Sequence, residues 1–312
     1  MPLPSRDVLG PLAAVLADTE VTDVFLNPDG CVWVDRGTGA AIEHGLRIPA
    51  GEARELAVRL VAAGGRHLDE ATPCADVSLG DGIRVHGVLP PVSPRAAVLS
   101  IRVPRSEPLP LARLEDDGFF ERVPRAVVTG LVARRANLLV TGAGGSGKTT
   151  LLAALLSSAP ATERIVVVED VGELRVDHPH VVRLEARQAN LEGRGAIGLD
   201  RLVREALRMR PDRLVVGECR GAELRELLMA LNTGHDGGAG TLHANSLADV
   251  PARLEALGVL AGWGPDALAR QAVSALDAVL HVERDATGRR RLAEVGALRL
   301  TPRGQLAVAE SA

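Results

Sequence analysis

Residues 142–149, Gly142-Ala143-Gly144-Gly145-Ser146-Gly147-Lys148-Thr149, satisfy the pattern G-x-x-x-x-G-K-[ST] at every fixed position. The apolar run at 136–140 before them reads as a buried strand. The stretch 150–156 behind them, rich in strong helix formers and stopped by Pro160, reads as a helix. Strand, glycine-rich turn and helix in that order confine this part of the chain to an α/β arrangement with a phosphate-binding loop. Glycines let successive backbone N–H groups point inward at a β-phosphate, beside a helix N-terminus whose dipole favours anions. Gly142, Gly144, Gly145, Ser146, Gly147, Lys148, Thr149 and Thr150 are therefore the expected nucleotide contacts. Lys148 should reach the β- and γ-phosphates, and the Thr149 hydroxyl should ligate Mg2+.

The 312-residue sequence is long enough for two domains, and 46% hydrophobic residues support real cores. Phe25, Trp33, Phe119, Phe120 and Trp263 are the only aromatic side chains, so the cores must be built from Leu, Val and Ala. Such a chain has no aromatic platform for stacking single-stranded bases, and its arginines are interspersed with acids at a net charge of -4. No direct nucleic-acid binding is expected. Cys31, Cys74 and Cys219 are too few for a disulfide framework and too far apart for a metal site. No stretch reaches the ~18 apolar residues of a membrane span, and Met1 to Gly10 has no signal-peptide pattern. A cytoplasmic protein is expected, brought to a membrane only by partners.

The first hundred residues read as a small α+β domain. Short β-rich runs at 21–26 and 31–35 flank the turn cluster Asn27-Pro28-Asp29-Gly30, a helix is expected over 50–63, and two more strands at 83–88 and 97–102. Residues 105–122, proline-bearing and mixed in charge, read as a linker between domains at 1–104 and 123–312. Beyond it, helical segments alternate with apolar strands at 138–141, 164–168, 214–217 and, more weakly, 278–282. That alternation implies a mainly parallel sheet with helices on both faces.

Two of these strands end in carboxylates. Leu214-Val215-Val216-Gly217-Glu218 places Glu218 at the carboxyl edge of the sheet, where ligands of open α/β sheets bind, with Gly217 where many ATPases carry Asp. Ile165-Val166-Val167-Val168-Glu169-Asp170 repeats the design, with Glu173 just beyond. Glu218 could orient an attacking water, and Thr149, Glu169 and Glu218 could hold Mg2+. Residues 233–246 read as a glycine-rich loop containing His235 and His243. Without a thiol or third histidine nearby, a phosphate sensor or hydrogen-bond relay suits them better than zinc.

Taken in order, Glu169-Asp170 with Glu173, residues 204–213, Val216-Gly217-Glu218-Cys219-Arg220-Gly221, and Asn232-Thr233-Gly234-His235-Asp236-Gly237 with Thr241-Leu242-His243-Ala244-Asn245 resemble the motifs of the secretion ATPase superfamily. These correspond to its Asp box, the segment before Walker B, Walker B itself and the His box. The chain looks most like the tight-adherence (Tad) pilus and conjugal-transfer-associated branch. The resemblance, which extends to Asp69-Glu70, Pro73 and residues 81–85, implies a RecA-like P-loop ATPase domain behind a PAS-like N-terminal domain. It further implies a hexameric ring that hydrolyses ATP with Mg2+ and drives an inner-membrane platform protein in pilus assembly, secretion or conjugal transfer. Arg84 and Arg102 resemble arginines lent to the phosphates by the N-terminal domain, and Arg208 and Arg210 resemble basic residues near a subunit interface. The four-cysteine zinc subdomain of the type II branch is absent.

Gly238-Ala239-Gly240 departs from the family pattern and is expected to loosen the His-box loop, since ordering glycine costs backbone entropy. This departure speaks faintly for an alternative reading, an ATP-binding scaffold with little turnover, against which the intact Lys148, Thr149, Glu169 and Glu218 speak. A DNA-translocating motor on the same fold would need a basic, stacking-competent channel, which the composition does not offer.

Overall fold

The computed structural model describes residues 6–79, 82–103, 108–187, 194–285 and 287–310. They divide into two compact units, the first comprising the described residues before Pro108 together with Arg194 and the second the other described residues from Pro108 onward. Asp81 and residues 104–107 lie outside the described residues.

The first unit contains α1 (Arg6–Leu9), a 3-10 turn, α2 (Ala13–Leu16), β1 (Asp23–Leu26), β2 (Cys31–Asp35), β3 (Ala40–Arg47), α3 (Ala50–Ala63), β4 (Cys74–Ser78), β5 (Arg84–Val88) and β6 (Val98–Arg102). Its strands pair antiparallel in the order β3-β2-β1-β6-β5-β4. The period-2 alternation of β1, β2, β5 and β6 sends Val24, Leu26, Val32, Val34, Val85, Leu99 and Ile101 to one face. There they pack against Ala53, Leu56, Ala57, Leu60 and Val61 of α3, which recur at helical spacing. The edge strands β3 and β4 lack a legible alternation of large apolar residues, and no strand is expected at either.

The second unit contains α4 (Leu111–Asp116), α5 (Arg125–Ala133), β7 (Leu138–Gly142), α6 (Lys148–Ser157), β8 (Ile165–Glu169), β9 (Val181–Glu185), α7 (Leu199–Leu207), β10 (Arg213–Val216), α8 (Glu223–Leu231), β11 (Ala239–His243), α9 (Val250–Leu260), α10 (Pro265–Ala275), β12 (Ala278–Arg284), β13 (Arg290–Leu300) and β14 (Leu306–Glu310). The sheet order is β14-β13-β12-β7-β11-β10-β8-β9. It is parallel from β12 to β9, and β13 and β14 add antiparallel. Alternate residues of each central strand enter two cores. Leu138, Val140, Ile165, Val167 and Val215 join α4, α5 and α6, while Leu139, Val166, Val168, Leu214 and Val216 join α7 to α10. Coverage of both faces is why these strands read as continuous apolar runs. Among the described residues no helix is long and apolar enough to cross a membrane.

Two expectations are corrected. Residues 108–122 do not behave as a linker, because Leu111, Leu114, Phe119 and Phe120 are buried in the second unit's core. The glycine-rich stretch around 238–240 is no loose loop. β11 lies inside the sheet between β7 and β10, with Ala239 and Gly240 in register with both neighbours. A Cβ on Gly238 would stand 2.4 Å from Leu231 Cδ2 and 2.8 Å from the Leu214 carbonyl oxygen, and one on Gly240 would stand 3.0 Å from Leu227 Cδ2. The glycines admit α8 to the sheet, and β11 is hydrogen-bonded to a strand on each side.

Candidate functional site

Parallel pairing brings the carboxyl ends of four strands to one edge of the second sheet. His243 ends β11 in register with Gly142, the end of β7, and Val216 of β10 is aligned with Val168 of β8. The phosphate loop, Glu169, Glu218 and His243 therefore converge there. Lys148 opens α6, and the residue before it, Gly147, adopts φ +105°, a conformation that favours glycine. Thr149 and Thr150 are half-buried in the first turn of α6.

The Lys148 side chain is 7% exposed and lies back on its own loop. Its Nζ donates to the carbonyls of Gly142 (2.9 Å) and Ala143 (2.8 Å) and stands 3.3 Å from His243 Nδ1. Burial pulls the ammonium below its ordinary pKa, against the opposing charges of Glu218 and Glu173. An ammonium only donates, so Nδ1 is the accepting nitrogen of His243 and the ring proton sits on Nε2. Burial, aided by the Lys148 charge, lowers the His243 pKa and favours the neutral ring.

Nε2 of His243 is 2.8 Å from Glu218 Oε1, but the approach is out of line for a hydrogen bond and Oε1 has no hydrogen-bond partner. The other oxygen accepts from Arg220 Nη2 at 2.6 Å, which raises the arginine's pKa. The segment carrying Glu218 is pinned. Cys219 N donates to the Thr241 carbonyl (2.8 Å), Thr241 Oγ1 to the Gly217 carbonyl (2.6 Å), and the backbone N–H groups of Arg220 and Gly221 to the buried Glu223 carboxylate. Burial pushes the Cys219 thiol up, leaving it unreactive.

Glu169 is 4% exposed. Its Oε1 accepts from the backbone of Glu173 (3.0 Å) and Leu174 (2.9 Å), while Oε2 has no partner. Burial raises its pKa, and the two N–H bonds oppose the rise. A Cβ on Gly217 would stand 2.6 Å from Glu169 Cγ. Glycine at 217 is thereby explained: the carboxylate supplied from β8 occupies the space an aspartate on β10 would need.

The structure does not bring every candidate together. His235 precedes β11 and contacts the Ala230 carbonyl (3.3 Å), whereas His243 ends that strand. The two histidines lie at opposite edges of the sheet, so His235 is corrected out of the site. Arg208 caps α7 and pairs with Glu205 (3.5 Å), and Arg210 follows it with φ +55°, both before β10 and at the edge away from the phosphate loop. Arg84 and Arg102 belong to the first unit, where they are cross-strand partners, and Arg102 is 3.5 Å from Asp23. Arg220 and Glu223 were missed as site residues. The place of Glu223 in the first turn of α8, where a carboxylate complements the helix dipole, is the signal that could have found it.

The residues present suit a magnesium–nucleotide complex. The buried Ser146 hydroxyl has no partner, and one oxygen each of Glu169 and Glu218 is unbonded at the strand ends. Mg2+ is commonly bound by one or two protein oxygens together with substrate phosphates, which this donor set can provide.

The sequence profile described as "Type II/IV secretion system protein" matches residues 11–303. The chain is 49% identical over 296 residues to a Mycobacterium tuberculosis protein provisionally named for conjugal transfer, covering 93% of this chain and 84% of that protein. It is 30% identical over 268 residues to protein VirB11 of Agrobacterium fabrum, covering 76% of each. Among solved structures, the pilus retraction motor PilT with bound ADP is similar with a TM-score of 0.61 at 19% identity, covering 96% of this chain and 80% of that one. The Legionella pneumophila ATPase DotB is similar with a TM-score of 0.59 at 18% identity, covering 96% and 78%. At such identities the likeness to these two shows the fold.

Proposed function

Because the chain belongs to the type II/IV secretion system protein family, we propose that it hydrolyses Mg·ATP as a hexameric, RecA-like motor. It would power pilus assembly, secretion or conjugal transfer through an inner-membrane platform protein. The observation that carries this reading is the convergence of Lys148, Glu169, Glu218 and His243 beside the phosphate loop.

Water attacks the γ-phosphorus in line as the bond to the β,γ-bridging oxygen breaks. Lys148 exchanges the Gly142 and Ala143 carbonyls for phosphate oxygens, and the nearby negative charge restores its preference for the protonated form. Glu218 orients the water through its unbonded oxygen, while Arg220 holds the other. The neutral His243 ring, between Lys148 and Glu218, senses whether the lysine has left for the phosphates. When bound, Mg2+ neutralises charge on the phosphate oxygens, with Thr149, Glu169 and Glu218 as the residues that would hold it. Arg84 and Arg102 are proposed as additional donors to the phosphates, and Arg208 and Arg210 as interface residues. The scaffold reading loses its support, since Gly240 sits in the packed strand β11 and Gly238, immediately before it, is packed against Leu231 and the Leu214 carbonyl.

The test is steady-state ATP hydrolysis by the wild type and Glu218→Gln, with the mass of each in solution with and without Mg·ATP. Loss of at least ~10²-fold in turnover by a hexameric variant that still binds ATP is expected. A wild type that binds ATP tightly and never turns it over, in any oligomeric state, overturns the motor.

A further inference from the structure

The hairpin of β12 and β13 passes directly beside the phosphate loop. Its register pairs Arg284 with Arg290, the first residue of β13. Arg290 Nε donates to the Gly145 carbonyl at 3.1 Å, and its Cδ lies 3.3 Å from where a Cβ on Gly147 would stand. At the other end of the loop, a Cβ on Gly142 would be 2.1 Å from the Val282 carbonyl oxygen of β12. Both ends of the loop are thus seated on the same hairpin.

A cradle of inward N–H groups requires its carbonyls to face outward and find partners elsewhere. Those of Gly142 and Ala143 are taken by Lys148, and that of Gly145 by Arg290. Once Lys148 turns to a phosphate, its two bonds to the loop are lost and that from Arg290 stays. The tip it holds has much conformational freedom to lose. Gly145 has φ +70° and Gly147 φ +105°, and nothing lies within 4 Å of a Cβ on Gly145.

We propose that Arg290 is a positioning residue for nucleotide, holding the Gly145 carbonyl outward so that the loop's N–H groups already face the site when the ligand arrives. The proposal rests on the nucleotide-binding reading above. The same hairpin is tied to the segment after α4. Arg289 Nη2 donates to the Asp117 carbonyl at 3.4 Å, and Arg122 lies 3.5 Å from Glu283. Residues 117–122 and the tip of the phosphate loop are therefore held on one element.

The test uses the full chain: the Kd for Mg·ADP, KM and kcat for ATP, and the melting temperature without nucleotide, for wild type, Arg290→Ala and Arg290→Lys. For Arg290→Ala, Kd and KM should rise roughly tenfold, as expected for loss of one charge-assisted bond that preorganises a site, with the larger effect on KM than on kcat. Arg290→Lys, whose ammonium can still donate to a carbonyl, should recover most of the affinity, and the melting temperature should stay at the wild-type value. Unchanged affinity in Arg290→Ala overturns the proposal alone. So does a loss that Lys does not recover and that comes with a lower melting temperature, since that marks general packing. A wild type that binds no Mg·ADP overturns the nucleotide reading and this proposal with it.

Discussion

The two units treat their polar groups in opposite ways. In the first, the carboxylates with shifted acidity lie at the surface, Asp29 exposed and Asp18 and Asp69 half-exposed. Each is held below the usual range chiefly by one backbone N–H, from Glu20, Cys31 and Thr72 respectively. In the second, Lys148, Glu169, His243 and His281 all shift toward the uncharged form, with burial the largest cause. Asp285, on the exposed hairpin of the second unit, behaves like the carboxylates of the first. Among the described residues, every buried polar or charged side chain except Ser93 lies in the second unit. An antiparallel sheet covered on one face can send such groups to the other. A parallel sheet covered on both faces leaves its strand ends as the place for them, where desolvation keeps them ready for a charged ligand.

The largest effect on this contrast is expected from Gly238→Ala. Its new methyl meets Leu231 and the Leu214 carbonyl inside the sheet, so a cost of about 1–3 kcal/mol and a fall in melting temperature of roughly 2–10 °C should follow. Gly51→Ala in α3 of the first unit meets open space and should leave the protein as stable or slightly more so. Calorimetry that found the two variants alike would refute the packing of β11 under α8.

Next comes Glu169→Gln. The raised folded pKa means that ionising Glu169 costs stability, a cost absent below the unfolded value of 4.5 and complete above the folded one. Urea unfolding without nucleotide should show wild-type stability falling as pH rises through that window, and the variant should lack this component. Hydrolysis should drop at least ~10-fold as well. Identical pH profiles would mean that Glu169 is not buried as described. The smallest effect is expected from Asp18→Asn. Its partner Arg36, at 2.9 Å, is as exposed as it is, so the melting temperature should stay within about 1 °C. A clear loss there would break the contrast from the other side.

What could be read along the chain follows from burial. β7, β8, β10 and β12 are buried along most of their length and show as apolar runs, whereas the edge strands β3 and β9 have half-exposed or exposed residues at every position and carry no periodic signal. Lys148, Glu169 and Glu218 were legible because each lies at or just beyond such a run. His235 and His243 could not be told apart, because glycines hid the strand between them. Arg290 gave no signal at all. Its position beside Gly145 depends on β13 folding back along β12, a pairing that brings together residues 145 positions apart.

The sequence by itself determined the order of strand, phosphate loop and helix, the two-sided core of the second unit, and which carboxylates end its strands. Local propensity and hydrophobic periodicity suffice for these. Only the tertiary structure decided that Gly217 makes room for Glu169, that Gly238 and Gly240 admit α8, and that Arg220 and His243 flank Glu218. Close approach between elements distant in sequence is set by packing, and nothing in the local pattern encodes it.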